Sequence, residues 1–289
     1  MKPAPFDYMA AASAAEAVAA LAQHGDEAKL LAGGQSLVPM LNLRLARPAV
    51  LVDINGAKEL DYLREADGRL HVGAMRRQAA VERWARAHVP LLATALRHVG
   101  HLAIRNRGTV VGSVAHADPA SELPALLLCL DGEVVARGPK GERVIAAGAL
   151  YRAPLTTSLA ADELVTEARF VLPRPEAGWG FAEVARRHGD FALVGAAALL
   201  WLDGGGRVAG ARLAFFGVGG TPTRGAAAET ALAGQTPSPE GIRAAARAAA
   251  ATLKPEGDIH ASARYRQDVA AVLAERTLVE AWKRCRKAP

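Results

Sequence analysis

The chain has 289 residues, 51% hydrophobic and 22% charged, a globular balance that excludes a disordered chain. No apolar run approaches the roughly 20 residues of a membrane helix; the best candidate, Leu193 to Leu202, is bounded by Asp190 and Asp203. The net charge of +6 comes from scattered arginines with no dense basic tract and no interleaved aromatics, which argues against nucleic acid and leaves a solvated basic surface suited to an acidic partner or an anionic cofactor.

From the N-terminus, Lys2 and the following alanines have no leucine-rich core, and Asp7 and Glu16 interrupt them, so no export and a cytoplasmic location are expected. Ser13-Ala14-Ala15-Glu16 is a capping-box pattern and Gly25 a stop signal, predicting a helix between them. Lys29–Ala32 reads as a short strand, Gln35–Leu45 as a helical turn with Pro39 near its start, and Ala49–Asp53 as another strand. Leu60–Ala74 reads as a hairpin turning at Asp67-Gly68, and Gln78–Ala87 and Leu91–Val99 as helices. Leu102–His116 carries glycines and little regular periodicity. A helix over Pro119–Leu130 is expected, with Asp118 as its cap. Strands follow at Glu133–Arg137, Arg143–Ala146 and Glu163–Leu172.

Pro173–Gly178 is the clearest linker, and the pattern changes after it. Three strands are predicted at Gly180–Arg187, Leu193–Asp203 and Val208–Val218, the last two joined by Gly204-Gly205-Gly206. Helices follow at Ala226–Ala233, Pro239–Leu253 and Ser262–Cys285. The expected fold is α+β throughout. A domain over 1–175, with lobes at about 1–55 and 56–175, precedes a smaller one over 176–289 built from a three-stranded antiparallel sheet and helices.

Two cysteines, Cys129 and Cys285, allow neither a disulfide framework nor the ligand set of an iron–sulfur cluster or a cysteine-type zinc site. Cys129, within Leu126–Leu130, reads as a buried apolar residue. The eight histidines show no metal-ligand spacing, and no metal site is assigned. Redox chemistry here requires an organic cofactor or a partner's metal.

Two glycine loops stand out. In Ala32-Gly33-Gly34-Gln35-Ser36-Leu37 the glycines permit close approach of a ligand, the amides of Gln35, Ser36 and Leu37 converge on one point, and Ser36 adds a hydroxyl. The alternative is an ordinary strand-to-helix turn. The loop lacks the third glycine of a dinucleotide fingerprint. Asp53, at the spacing of its acidic residue, closes a strand with no full crossover helix before it. In Arg105-Asn106-Arg107-Gly108-Thr109-Val110-Val111-Gly112-Ser113 the glycines again open the backbone, Thr109 and Ser113 bring hydroxyls, and Arg105 and Arg107 bring positive charge. Two anion loops on one chain favour a diphosphate-bearing cofactor.

These residues carry a family resemblance. Lys29 to Pro39, with Leu43-Arg44-Leu45, resembles the first flavin motif of the FAD-binding medium subunits of molybdenum hydroxylases, the carbon monoxide dehydrogenase and xanthine dehydrogenase relatives. Ile104 to Ser113 and Ala115 to Pro124 resemble the second motif, and Arg186 to Ala192 a third. The resemblance implies a two-lobed FAD-binding domain of the vanillyl-alcohol oxidase type, plus a C-terminal domain closing over the flavin. It implies that Ala32, Gly33, Gly34, Gln35, Ser36 and Leu37, with Thr109, Val110, Val111, Gly112 and Ser113, cradle the pyrophosphate of noncovalent FAD. It further puts Glu122 near the adenosine end, Leu164 and Val165 along the flavin, Glu183 by the ring, and Phe191 over one flavin face. Val111 stands where the family usually has a glycine, and its Cβ is expected to crowd the pyrophosphate.

The implied role is electron transfer within a complex. FAD would take electrons from 2Fe–2S clusters on a small subunit, fed by a molybdopterin-binding large subunit, and pass them to an external acceptor. No catalytic side chain is then required on this chain. The alternative is a stand-alone flavin-dependent oxidase or reductase, for which His116 and His188 are the candidate bases.

Overall fold

The computed structural model describes residues 1–285. Three sheets divide the molecule. Strands β1 (Asp7–Ala10), β2 (Ala28–Leu31) and β3 (Val50–Asp53) form a small parallel sheet in the order β1-β3-β2. Helix α1 (Ala14–His24) buries Ala14, Ala17, Val18 and Leu21. Its start is built as the capping pattern requires: Ser13 Oγ accepts from Glu16 N at 3.2 Å, and Glu16 reaches back to Ala12 N at 2.8 Å. Strand β1 escaped the sequence reading because all four of its residues are exposed, so it shows no alternation of burial. The six-residue helix α2 (Leu37–Asn42) lies in the connection from β2 to β3, with Leu41 buried.

Strands β4 (Leu63–Ala66) and β5 (Arg69–Gly73) form the predicted hairpin, with positive φ at Asp67 and Gly68. Helices α3 (Gln78–His88) and α4 (Pro90–His98) follow and pack against each other. Leu102–His116, expected to be irregular, is instead two short helices, α5 (Leu102–Arg107) and α6 (Val110–His116), broken at Gly108. Neither is long enough for a helical period to be read from it. Helix α7 (Glu122–Cys129) starts later than predicted. Asp118 closes a turn by accepting from Ala120 N at 2.8 Å, and Ser121 occupies the cap position.

Strands β6 (Glu133–Gly138) and β7 (Gly141–Ala146) lead through α8 (Ala147–Leu150) and the minor pair β8 (Tyr151–Ala153) and β9 (Thr156–Thr157) to β10 (Leu164–Val171). The second sheet is antiparallel, in the order β4-β5-β10-β6-β7. The last is also antiparallel: β11 (Gly178–Ala185), β12 (Ala192–Leu202), β13 (Val208–Phe216) and β14 (Thr223–Arg224). It has four strands rather than the three predicted, because a two-residue strand leaves no pattern to read. Helices α9 (Ala226–Leu232), α10 (Pro239–Ala251) and α11 (Ala263–Arg284) complete the chain.

Every residue of α7 is buried, and α7 packs against α4 and α6 on one side and β12 and β13 on the other. The last sheet therefore has two covered faces. Phe181, Ala197, Leu199 and Phe216 join the core of the first half, while Val194, Leu200, Leu213 and Phe215 pack with α9, α10 and α11. Across this seam Asp131 bridges Arg212 and Arg224, each at 2.6 Å.

Candidate functional site

The two glycine loops meet. A side chain on Gly33 would begin 2.5 Å from the Arg107 carbonyl oxygen and 2.6 Å from Gly108 Cα, so the first loop lies directly on the backbone of the second. Ala32 Cβ comes to 3.9 Å from where a side chain on Gly112 would start. Gly34 has φ +71°, in the left-handed region that favours glycine. This turn aims the next backbone segment outward. Among the described residues, the amides of Gln35, Ser36 and Leu37 find no backbone acceptor. Ser36 stands at the start of α2 without using its hydroxyl as a cap, and Gln35 closes the loop through Nε2 to the Gly33 carbonyl at 3.0 Å. The first loop is thus a cluster of open donors.

The second loop is tighter. Thr109 is buried and caps α6, its Oγ1 accepting from Gly112 N at 3.0 Å. Val110 and Val111 are buried and turn into the core, while Gly112 and Ser113 stay half-buried on the other face. The Val111 side chain packs in the core of the first half, which argues against the expected crowding. Arg105 is also reassigned. It is buried, with Nε 3.0 Å from Glu82 and Nη1 donating to the carbonyls of Val99 and Gly100, so its charge is neutralised inside the protein. Arg107 remains exposed.

A polar clamp that the sequence reading missed holds the loops together. Tyr8 donates to Asp53 at 2.6 Å, and Asp53 accepts from Asn55 N at 2.8 Å. Asn55 Nδ2 donates to the Ala32 carbonyl at 2.9 Å, and its Oδ1 accepts from Arg77 at 2.6 Å. Arg77 donates also to the Arg107 carbonyl. The run from Tyr8 to Arg107 joins the parallel sheet to the helical layer through the backbone of both loops. The Asn55-Gly56 dipeptide directly after β3 was the available signal.

The other end of α6 leads to a second feature. Glu122, in the first turn of α7, is 5% exposed, and the Glu183 side chain on β11 is equally buried. Burial, and then the charge of Glu183, push the Glu122 carboxyl up to about 8, so it holds a proton at neutral pH. Glu183 Oε1 lies 3.0 Å from His98 Nδ1, at the end of α4, while its Oε2 is buried with no hydrogen-bond partner. The sequence reading assigned Glu122 and Glu183 to opposite ends of an extended dinucleotide. The structure buries both side chains, and the charge of Glu183 is felt at Glu122.

The remaining candidates fall into two groups. Leu164 and Val165, at the start of β10, are buried in the core of the first half. Phe191, between β11 and β12, is 62% exposed and therefore available to a ligand rather than part of the core. His116 is half-buried, and burial lowers its pKa against the pull of Asp118. His188 has its ring 6.0 Å from His98 and 6.4 Å from His101. A buried carboxylate oxygen on Glu183 and the amides of the first loop are polar groups left open to a ligand.

Residues 4–175 match the model of the FAD binding domain in molybdopterin dehydrogenase, and residues 179–281 that of the CO dehydrogenase flavoprotein C-terminal domain. The chain is 42% identical over 288 residues to the 6-hydroxypseudooxynicotine dehydrogenase complex subunit alpha of Paenarthrobacter nicotinovorans, covering 99% of this chain and 97% of that one. It is 43% identical over 238 residues to the caffeine dehydrogenase subunit beta of a Pseudomonas species, covering 81% and 80%. Among solved structures, a chain of carbon monoxide dehydrogenase from Hydrogenophaga pseudoflava superposes with a TM-score of 0.96 at 38% identity, over 99% of this chain and 100% of that one.

Proposed function

The chain belongs to the FAD-binding medium subunits of the molybdenum hydroxylase family, and from that premise we propose that it is the electron-transfer subunit of a multi-subunit oxidoreductase. In this reading electrons arrive from 2Fe–2S clusters on a small subunit, supplied by a molybdopterin-binding large subunit, and leave to an external acceptor. FAD, when bound, supplies chemistry that links one-electron carriers to a two-electron acceptor. The domain boundary is placed near residue 175, with the lobes of the first domain dividing near residue 55. Cys129 and Cys285 are free thiols, which agrees with a reducing, cytoplasmic compartment.

The observation that carries the reading is the contact of the two glycine loops, with open amides on one side of it. The amides of Gln35, Ser36 and Leu37 and the Ser36 hydroxyl hold the pyrophosphate from one lobe. The Ser113 hydroxyl reaches it from the other, where Gly112 leaves room for the approach, with Thr109 fixing the loop. Ala32, Gly33 and Gly34 give the backbone its approach and direction, and Val110 and Val111 anchor the second loop in the core. Leu164 and Val165 back the ring pocket, Glu122 and Glu183 supply its polar wall, and Phe191 covers an open face. The chain's own task is to bind and orient the cofactor and to limit water around it. The relatives carry names for a nicotine derivative, caffeine and carbon monoxide as substrates, so substrate choice is assigned to the large subunit.

Two measurements test this. The full chain should bind FAD and release it intact on denaturation. FAD-loaded chain should be reduced by an organic substrate only when the partner subunits are present. Turnover of a substrate by the loaded chain alone would replace this reading with that of a stand-alone flavin enzyme.

A further inference from the structure

The basic residues are scattered along the sequence, but the fold gathers several of them. Helices α3, α4 and α5 and the start of β11 line an open groove of about 680 Å³. Arg83 and Arg86 stand one turn apart on the same side of α3, and Arg97 lies in the last turn of α4. All three are exposed. Glu82 is the one acidic residue lining the groove. It is buried, and its carboxylate is already taken: Oε2 lies 3.0 Å from Arg105 Nε and Oε1 2.8 Å from Arg86 Nη2. Among the described residues, Arg83 and Arg97 have no acidic partner. The groove thus holds four arginines against one glutamate, a positive surplus that no change of working pH removes.

The rest of the groove is apolar and held in place. Leu102 is 59% exposed, although it sits on α5, which Arg105 ties down through the carbonyls of Val99 and Gly100 at 3.1 and 3.2 Å. Trp179, near the start of β11, brings the second half of the chain to the groove. Arg284 of α11 stacks on its ring, with Cζ 3.6 Å from the centroid. An apolar stretch therefore lies beside fixed positive charge in a preformed groove. A free inorganic anion would use only the charge, and exposed guanidiniums in salt solution hold such an ion weakly. A nucleic acid would follow a longer basic track with open stacking aromatics, and one face of Trp179 is already covered. A polypeptide whose acidic side chains flank an apolar one uses both parts of the groove at once.

We propose that this groove is the docking surface for an acidic segment of a partner subunit. Carboxylates of that segment pair with Arg83, Arg86 and Arg97, and an apolar side chain lies against Leu102 and Trp179. The inference rests on the reading of this chain as one subunit of a complex, and it adds where, and by what chemistry, a partner is held.

The test uses the FAD-loaded full chain and the purified partner subunits, with affinity measured by surface plasmon resonance at about 0.05 M and about 0.5 M salt. Arg83→Glu combined with Arg97→Glu should weaken assembly at least about a hundredfold at low salt, and clearly less at high salt. Leu102→Ser should weaken it about tenfold, equally at both. None of these residues belongs to the glycine loops, so FAD affinity should stay at the natural value and shows that each variant is folded. Assembly of the charge-reversed chain as tight as that of the natural chain overturns the proposal. A benzophenone side chain introduced at Leu102 then identifies the occupant in the assembled complex. Attachment to an Asp- and Glu-rich segment of a partner subunit supports the proposal; attachment elsewhere, to a second copy of this chain or to no protein overturns it. Unaltered assembly of the variants defeats this inference alone, whereas a natural chain that assembles with no partner subunit defeats the functional reading beneath it as well.

Discussion

In the proposed reading, the glycine loops and the buried carboxyls of Glu122 and Glu183 prepare the protein in different ways for the same ligand. The loops use backbone donors, which cannot titrate, and they sit half-exposed where Gly33 meets the backbone of Arg107 and Gly108. The carboxyls are titratable and lie buried at a joint between the two halves of the chain. Backbone amides hold an anion whatever the pH, and their weakness is geometric: the joint must close. A buried carboxyl is geometrically secure, and its weakness is protonic. The difference predicts which perturbation each region resists.

The largest effect should come from opening the joint. Gly33→Val places a branched side chain against the backbone of Arg107 and Gly108, which cannot move aside without separating the loops. FAD affinity should fall by at least about a hundredfold, and by the same factor at pH 6 and pH 9. A loss that varied with pH would break the contrast between the regions.

Val111→Gly comes next. The substitution empties a core position and puts glycine in a helix, so urea unfolding should show a destabilisation of about 3 kcal/mol. FAD affinity should not improve. An improvement would mean that Val111 does crowd the cofactor.

Glu122 should show itself in stability even without cofactor. The folded-state pKa of Glu122 is raised above its unfolded value, so the folded chain binds the extra proton over the interval between them. That contribution is full below the unfolded pKa, near the usual glutamate range, and is lost as pH rises to about 8. The slope is at most about 1.4 kcal/mol per pH unit. Chemical denaturation of Glu122→Gln across this range should give a visibly flatter profile than the natural chain.

The smallest effect belongs to the clamp. Asn55→Ala removes the link between the Ala32 carbonyl and Arg77, and should cost about 1 kcal/mol in thermal unfolding and a few-fold in FAD affinity. A much larger loss would mean that the clamp, rather than the close contact at Gly33, keeps the loops together.

The same contrast explains what the sequence made legible. A loop written in consecutive residues, such as Gly33-Gly34-Gln35-Ser36, displays its chemistry in the order in which the chain is read. So do the Ser13 cap and the Asp67-Gly68 turn. Glu122 and Glu183 are brought into range of each other by packing α7 against the last sheet, and no local pattern announces it. His98 ends an ordinary amphipathic helix, and its partner Glu183 lies beyond the linker. Arg105 misled for the same reason: a cation in a glycine loop reads as an anion ligand, and only Glu82, on a different helix, reveals that its charge is already taken. Helices α5 and α6 were missed because six or seven residues hold less than two full turns.

Helix α6 has a consequence for how this chain can vary. It starts at Thr109, in the joint between the loops, and ends just before the turn that leads to Glu122. Adding one residue to it would advance everything downstream by about 1.5 Å and swing it by about 100°. In the proposed reading, the phosphate grip and Glu122 would then fall out of phase with each other. Surface connections such as Gly204-Gly205-Gly206 can lengthen freely, but between Thr109 and Glu122 that reading makes the number of residues itself a dimension of the binding site. Here an insertion or deletion is a change of measure, and substitution is the milder event.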